Sequence, residues 1–226
     1  MRDRTAVLVL GGILLVIGLG VLVSIDAADA FDRAIIELIR GPDAGSQLRF
    51  LGPITQLGST GAVMLVAGLT FAVGAAIGPW RHGLIGALTI GLASLGVELV
   101  KAAVARTRPD LLEPIIVEHG FSFPSGHATL SMVAYGVLGV LVGRSRLPAW
   151  ARRAIVVMLG ALVVLIGVSR IWLGVHFPTD VLAGWTAGWV IVLVYAAVTR
   201  AVSREPAVGA ADADPAARRS DRPAAG

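Results

Sequence analysis

Long apolar runs broken by short polar segments make up most of this chain. Six stretches, roughly 5–24, 58–79, 83–104, 128–143, 152–169 and 180–199, qualify or nearly qualify as membrane spans, each of which takes about 20 mostly apolar residues. The fourth is short and spans by starting deeper or by tilting. Within these runs the apolar positions are continuous rather than alternating, which argues against a β-barrel. The pattern predicts an all-α, polytopic membrane protein with six transmembrane helices in a bundle.

The polar segment 25–57 carries Asp26, Asp29, Asp32, Arg33, Glu37, Arg40 and Arg49. Within it, Phe31, Ala34, Ile35, Leu38 and Ile39 recur at helical spacing. This predicts a short amphipathic helix after the first span, lying on the membrane. Beyond about Arg204 the chain is rich in Ala, Pro, Asp and Arg and has too little apolar bulk for a core. The expected organisation is therefore a membrane domain over 1–204 and a disordered cytoplasmic tail over 205–226.

Composition agrees. Charged residues are 15% of the chain and apolar residues 56%, whereas a soluble domain is about a quarter charged. Many of the 28 glycines fall inside apolar runs, as is common in membrane helices. Cysteine is absent, so there is neither a disulfide framework nor a thiolate metal site. The net charge of +4 comes from basic residues that mostly flank the apolar runs. They read as topology signals, and no nucleic-acid partner is expected. The first run follows Arg2 and Arg4 and extends to about Val23. That is longer than a secretory h-region of about 7–15 residues, so it reads as a retained helix.

One set of connections holds Arg2, Arg4, Arg81, Arg144, Arg146, Arg152, Arg153, Arg200 and Arg204; the other holds Arg33, Arg40, Arg49, Lys101, Arg106, Arg108 and Arg170. Several of the second set fall in or beside the polar clusters described next. The short, strongly basic 144–153 loop is taken as cytoplasmic, together with both termini. Segments 25–57, 105–127 and 169–179 then face outward together.

Three polar clusters interrupt the apolar chain on that side. In the first, KAAVARTRP, Lys101 and Arg108 are seven apart and share a face if the helix persists, although Pro109 disfavours helix at Arg108. Two cations at a helix end suit an anion; a snorkelling lysine and a topology arginine are the plainer reading. In the second, Ser125 stands where an N-cap would stand, ahead of Gly126 and His127. The free N–H groups behind it suit an anion, and an ordinary capped start with an interfacial histidine is the alternative. In the third, SRIWLGVHFPTD, Pro178 fits the first position of a helix. Asp180 then lies in its first turn, able to reach back before the cap. An aspartate on one nitrogen of His176 fixes the tautomer and leaves the other nitrogen to attack. Arg170 adds a planar fork for phosphate oxygens. Asp180 serving only as a helix-dipole partner is the alternative.

Taken together, two histidines, an aspartate, a lysine and two arginines on one membrane face form a set suited to phosphoryl transfer, because charge at membrane depth is costly and usually functional. A metal site is disfavoured, since the nearby carboxylates Asp110, Glu113, Glu118 and Asp180 are intermixed with cations. A Ser–His–Asp hydrolase built on Ser125 or Ser169 would leave the cations unexplained.

The clusters resemble the three-part pattern of the type-2 phosphatidic acid phosphatase superfamily: K-x6-R-P, then P-S-G-H, then S-R-x5-H-x3-D. All eleven specified positions are present, in order and with the family's spacings, over about 101–180. The resemblance implies a phosphatase that acts on a lipid phosphate or diphosphate among membrane lipids, without metal or cofactor. His176 would be the nucleophile that forms a phosphohistidine, and Asp180 would orient it. His127 would protonate the leaving group and then help activate water. Lys101, Arg108, Ser125, Gly126 and Arg170 would bind the phosphoryl oxygens, while Ser169 has no assigned role. A phosphotransferase and a non-enzymatic lipid or anion transporter remain alternatives. Outside the pattern, Glu98 reads as a partner of Lys101, His119 as surface and His82 as an interface anchor. Trp172 and Phe177 are candidates for a lipid entry path, and Trp185 and Trp189 read as packing. Oligomeric state is not readable from the chain.

Overall fold

The computed structural model describes residues 2–39, 48–77, 79–109 and 118–203. Among these residues there are eight helices and no strand. The long ones are α1 (Arg2–Ser24), α4 (Thr60–Ile77), α5 (Trp80–Val104), α6 (Gly126–Gly143), α7 (Ala149–Trp172) and α8 (Pro178–Val202), with α2 (Asp29–Ile39) and α3 (Leu48–Gln56) between the first two. Five of the long helices have the length and apolarity to cross a bilayer, and α4 is a shorter apolar helix. The expected bundle is therefore present, with α4 the least clear span. Arg40, Asp110, Glu113, Arg204 and the predicted tail lie outside the described residues.

Helix ends follow local chemistry. Ser125 caps α6 by accepting from the Ala128 N–H at 3.4 Å, so α6 begins at Gly126, two residues before its apolar run. Pro178 opens α8, where its missing N–H costs nothing. A core of Val63, Ile90, Val97, Val133, Val137 and Tyr195 fills the space between α4, α5, α6 and α8. Two glycines on α8 let α6 come close. A Cβ on Gly184 would lie 2.8 Å from the Ser125 carbonyl oxygen, and one on Gly188 would lie 2.8 Å from that of Thr129. Small residues of this kind allow membrane helices to pack backbone to backbone. Around the outside, large apolar side chains such as Leu65, Leu99 and Val157 are exposed, as expected for a surface solvated by lipid.

Segment 25–57 departs from expectation in one way: it forms two helices rather than one. On α2 the apolar residues Phe31, Ala34 and Leu38 are exposed, as a stripe lying on the membrane requires, while Asp32 and Ile36 on the opposite stripe are buried. The buried stripe is the one that carries the carboxylate.

Candidate active site

α5 ends at Val104, and Ala105 takes a left-handed backbone with φ of 51° that ties its N–H to the Lys101 carbonyl. The helix thus stops before Arg108, so Lys101 and Arg108 do not share a helical face as expected. Arg108 instead lies on the loop that follows the helix. Arg108 is spread over the loops. Its Nε donates to the Gly120 carbonyl at 3.1 Å, Nη2 to the His119 carbonyl at 3.2 Å and Nη1 to the Val175 carbonyl at 2.9 Å.

The same Nη1 lies 3.3 Å from His176 Nε2. On the other side of the ring, Nδ1 is 3.4 Å from Asp180 Oδ2. An arginine only donates and a carboxylate only accepts. The consistent tautomer therefore carries its proton on Nδ1 and a lone pair on Nε2. Asp180 is held in turn by the Phe177 N–H, which donates to Oδ2 at 2.9 Å, as its place in the first turn of α8 predicts. Burial pushes the His176 imidazole below its usual range, against the pull of Asp180. The neutral form of the ring is therefore favoured.

Close packing brings the second cluster alongside. A Cβ on Gly126 would lie 3.7 Å from Lys101 Nζ and 3.7 Å from Val97 Cγ1. Position 126 is thus in van der Waals reach of the lysine. Lys101 also pairs with Glu98 at 3.4 Å, as the spacing suggested. The turn after α3 lies against His127: a Cβ on Gly58 would be 3.1 Å from His127 Cδ2, and Tyr135 holds this turn by donating to the Leu57 carbonyl at 2.8 Å.

Arg170, in the last turn of α7, is 1% exposed. Its Nη1 donates to Thr55 Oγ1 at 2.8 Å, its Nη2 pairs with Glu118 Oε1, and its buried Nε meets no acceptor among the described residues. Glu118 bridges to the other arginine, with Oε2 3.2 Å from Arg108 Nη1. Burial raises the Glu118 carboxyl, but Arg170 outweighs this and brings it down to about 2. The two guanidinium groups thus already grip one anion, which demonstrates what the fork can hold.

All eight expected site residues lie at one end of the bundle, and direct contacts join His176 to Asp180 and Arg108, and Arg108 to Arg170 through Glu118. Several participants were not foreseen. Glu118 had been counted only among the carboxylates that disfavour a metal. Thr55 came from a segment with no assigned role. Arg106, Asp32 and Thr179 form a buried network behind Asp180, with the part-exposed Asp29 at its edge. The available signal was charge: Asp32 sits four residues before Ile36 on one helical stripe, and Arg106 lies inside the first cluster.

Other expectations resolve individually. Trp172 and Phe177, the candidates for an entry path, are both buried. Trp172 packs with Leu173, Val175, Ile39 and Leu51, and Phe177 lies under the Arg106 guanidinium, 4.0 Å from ring centroid to Cζ. His82 is buried rather than interfacial, with Nε2 3.0 Å from Ser203 Oγ. His119 is exposed. Trp185 packs, donating to the Val163 carbonyl at 3.3 Å. Ser169 is spent on its own helix, donating to the Ile166 carbonyl at 2.7 Å.

Comparisons with known proteins agree with this geometry. The family model described as the PAP2 superfamily matches residues 82–204. A phosphatidylglycerophosphatase B from Bacillus subtilis is 33% identical over 72% of this chain and 78% of its own length. An undecaprenyl-diphosphatase from Sulfolobus acidocaldarius is 36% identical over 42% of this chain and 45% of its own. Among solved structures, the transmembrane PAP2-type phosphatidylglycerolphosphate phosphatase of Bacillus subtilis superposes with a TM-score of 0.74 at 28% identity, covering 88% of this chain and 98% of that one.

Proposed function

The chain belongs to the PAP2 superfamily, and from that premise we propose that it is a multi-pass membrane lipid phosphatase working through a phosphohistidine on His176. The observation that carries this reading is the imidazole itself, neutral and buried, with Asp180 on Nδ1 and a phosphate-binding arginine at Nε2. Nε2 attacks phosphorus as the bond to the leaving oxygen breaks, and His127 supplies that oxygen with a proton. Asp180 stabilises the positive charge the ring acquires. Water, deprotonated by His127, then attacks the phosphohistidine and breaks the P–N bond. Phosphate leaves and His176 is again neutral. Lys101, Arg108, Arg170 and the N–H groups behind Ser125 and Gly126 neutralise the phosphoryl oxygens throughout. This assignment calls for no metal or other cofactor, so activity persists in excess chelator; its loss there would argue for a metal step.

The substrate class is a lipid phosphate or diphosphate. A groove of about 410 Å³, lined by Leu92, Val97, Val100, Pro124, Ala187 and Ile191, adjoins Lys101 and Ser125 along the chain. Its apolar walls suit an acyl or prenyl tail whose headgroup reaches the site. The relatives are named for both chemistries, a glycerophospholipid phosphate and a prenyl diphosphate. The site end faces the non-cytoplasmic side in this reading, because the basic turn after α6 with Arg144 and Arg146, and the start of α7 with Arg152 and Arg153, lie at the opposite end of α6.

Phosphate release from a panel of purified lipid phosphates and diphosphates assigns the substrate. Rapid quench with labelled substrate should trap an acid-labile, base-stable phosphoprotein, and His176→Ala should abolish both the trapped species and turnover. Unchanged hydrolysis by His176→Ala protein would sink the mechanism. Transfer of the labelled phosphoryl group onto an added alcohol acceptor, in place of its release as inorganic phosphate, would instead indicate a phosphotransferase.

A further inference from the structure

We propose that Arg106 and Asp32, which belong to neither the catalytic set nor the phosphate-binding set, are positioning residues that fix the Asp180 carboxylate against His176. This rests on the phosphohistidine reading above. Asp180 divides its two oxygens. Oδ2 accepts from the Phe177 N–H and lies against the His176 ring, whereas Oδ1 accepts from Arg106 Nη1 at 2.7 Å. Two hinged contacts on one oxygen would leave the carboxylate free to swing about it. The bond on Oδ1 removes that freedom.

Arg106 is itself fixed by groups distant in sequence. Its Nη1 also donates to Thr179 Oγ1 at 2.8 Å, and its Nη2 donates to Asp32 Oδ2 at 2.8 Å and reaches Asp29 Oδ1 at 3.4 Å. Its guanidinium lies over the Phe177 ring. Burial works against the charge on Arg106, and Asp180 and Asp32 more than restore it.

Asp32 does a second job at the same place. The N-cap of α8 is Phe177, whose side chain offers no acceptor to the helix. The first-turn N–H of Thr179 would be an orphan donor. Asp32 Oδ1 accepts it at 3.0 Å, and Asp32 Oδ2 accepts from Thr179 Oγ1 at 2.6 Å. A carboxylate from α2 thus caps α8 from outside, at a helix end that favours negative charge. Asp32 and Asp180 are both fully buried, with Arg106 between them. Asp32, Asp180 and Arg106 together carry one net negative charge, and Asp29 at the edge adds a second. The arrangement sits behind the imidazole that must become positive when phosphorylated, so the network stabilises that state as well as setting its geometry. Misplacing a reacting group by about 1 Å can cost on the order of 10²-fold in rate.

The test compares purified Asp32→Asn and Arg106→Lys proteins with wild type by steady-state kinetics and by the amplitude of the labelled phosphohistidine burst. Asp32→Asn is isosteric. Arg106→Lys keeps the charge but cannot serve Asp180 and Asp32 together. The expected result is a kcat per burst-active site lower by about 10- to 100-fold, with KM within about threefold. Arg106→Gln should be worse than Arg106→Lys. A normal kcat per active site, with only the number of folded molecules reduced, would make the network structural and overturn the proposal. If Arg106→Lys does not assemble, the proposal stands or falls on the kcat of Asp32→Asn. His176→Ala, run alongside, separates the two readings. If it retains hydrolysis, the phosphohistidine reading fails; if it is inactive while both network variants turn over normally, only this proposal fails.

Discussion

The two ends of the bundle use similar residues for different purposes. At the site end, His176 has a carboxylate on one nitrogen and an arginine on the other, and Arg170 keeps an unpaired Nε. At the far end, His82 is also buried and arginine is also present. There, His82 Nε2 meets the Ser203 hydroxyl, and its carbonyl accepts from Tyr195 at 3.1 Å. Arg144 donates to the Ala196 carbonyl at 2.9 Å and to Thr199 Oγ1 at 2.8 Å, so both arms are spent on the last turns of α8. A buried histidine near an arginine is therefore not itself a site. What distinguishes the site end is a carboxylate that sets the tautomer, together with two arginines that meet on the Glu118 carboxylate instead of closing a helix terminus.

The sharpest way to break this comparison is to remove each histidine. His176→Ala should lower kcat by at least about 10³-fold, the scale on which catalytic nucleophiles act, while His82→Asn should leave kcat within about threefold; phosphate release on matched amounts of folded protein reads both. The fork comes next. Arg170→Lys keeps a charge but loses the planar geometry and should lower kcat/KM by about 10²-fold.

The pH profile is a third probe. Because burial holds the His176 imidazole below its usual range, protonation quenches the nucleophile only well into acid. The acid limb assigned to this ring should therefore fall below about pH 6.5, and an acid limb above that value would contradict the assignment. Glu118 supplies a smaller effect. It lies between Arg108 and Arg170, where it competes with any entering anion, so Glu118→Gln should lower the inhibition constant of inorganic phosphate several-fold. A weaker grip would instead make Glu118 a contributor to the fork. Arg144→Ala should have the smallest effect, costing about 1 kcal/mol because its two bonds are only part-buried. It should lower the thermal midpoint in detergent while leaving turnover per folded molecule unchanged.

Much of the architecture was legible before any coordinates. Each of the six apolar runs corresponds to one long helix, because a backbone in lipid must satisfy its hydrogen bonds within the segment. The starts of α6 and α8 were readable from Ser125 and Pro178, and the Phe177–Asp180 bond from the place of Asp180 in the first turn. These are local effects, encoded within a few residues. The eight expected site residues were identifiable for a related reason: charged groups are so costly in an apolar chain that the few present stand out.

What only the tertiary structure decided involves contacts between distant segments. The apolar stripe of α2 was readable as membrane-facing, but the carboxylate of Asp32 on its other side had no partner in the sequence pattern. Helix α3 and its Thr55, the bridging Glu118, and the partnership of Arg106 with Asp32 depend on packing across separations of up to 115 residues. Residue types and local spacing marked out a histidine, an aspartate and several cations that the fold gathers at one end of the bundle. Which carboxylate would hold which cation was settled only when close α6–α8 packing and the early end of α5 brought those groups within hydrogen-bonding distance, a short-range interaction that no pattern along a single chain can register.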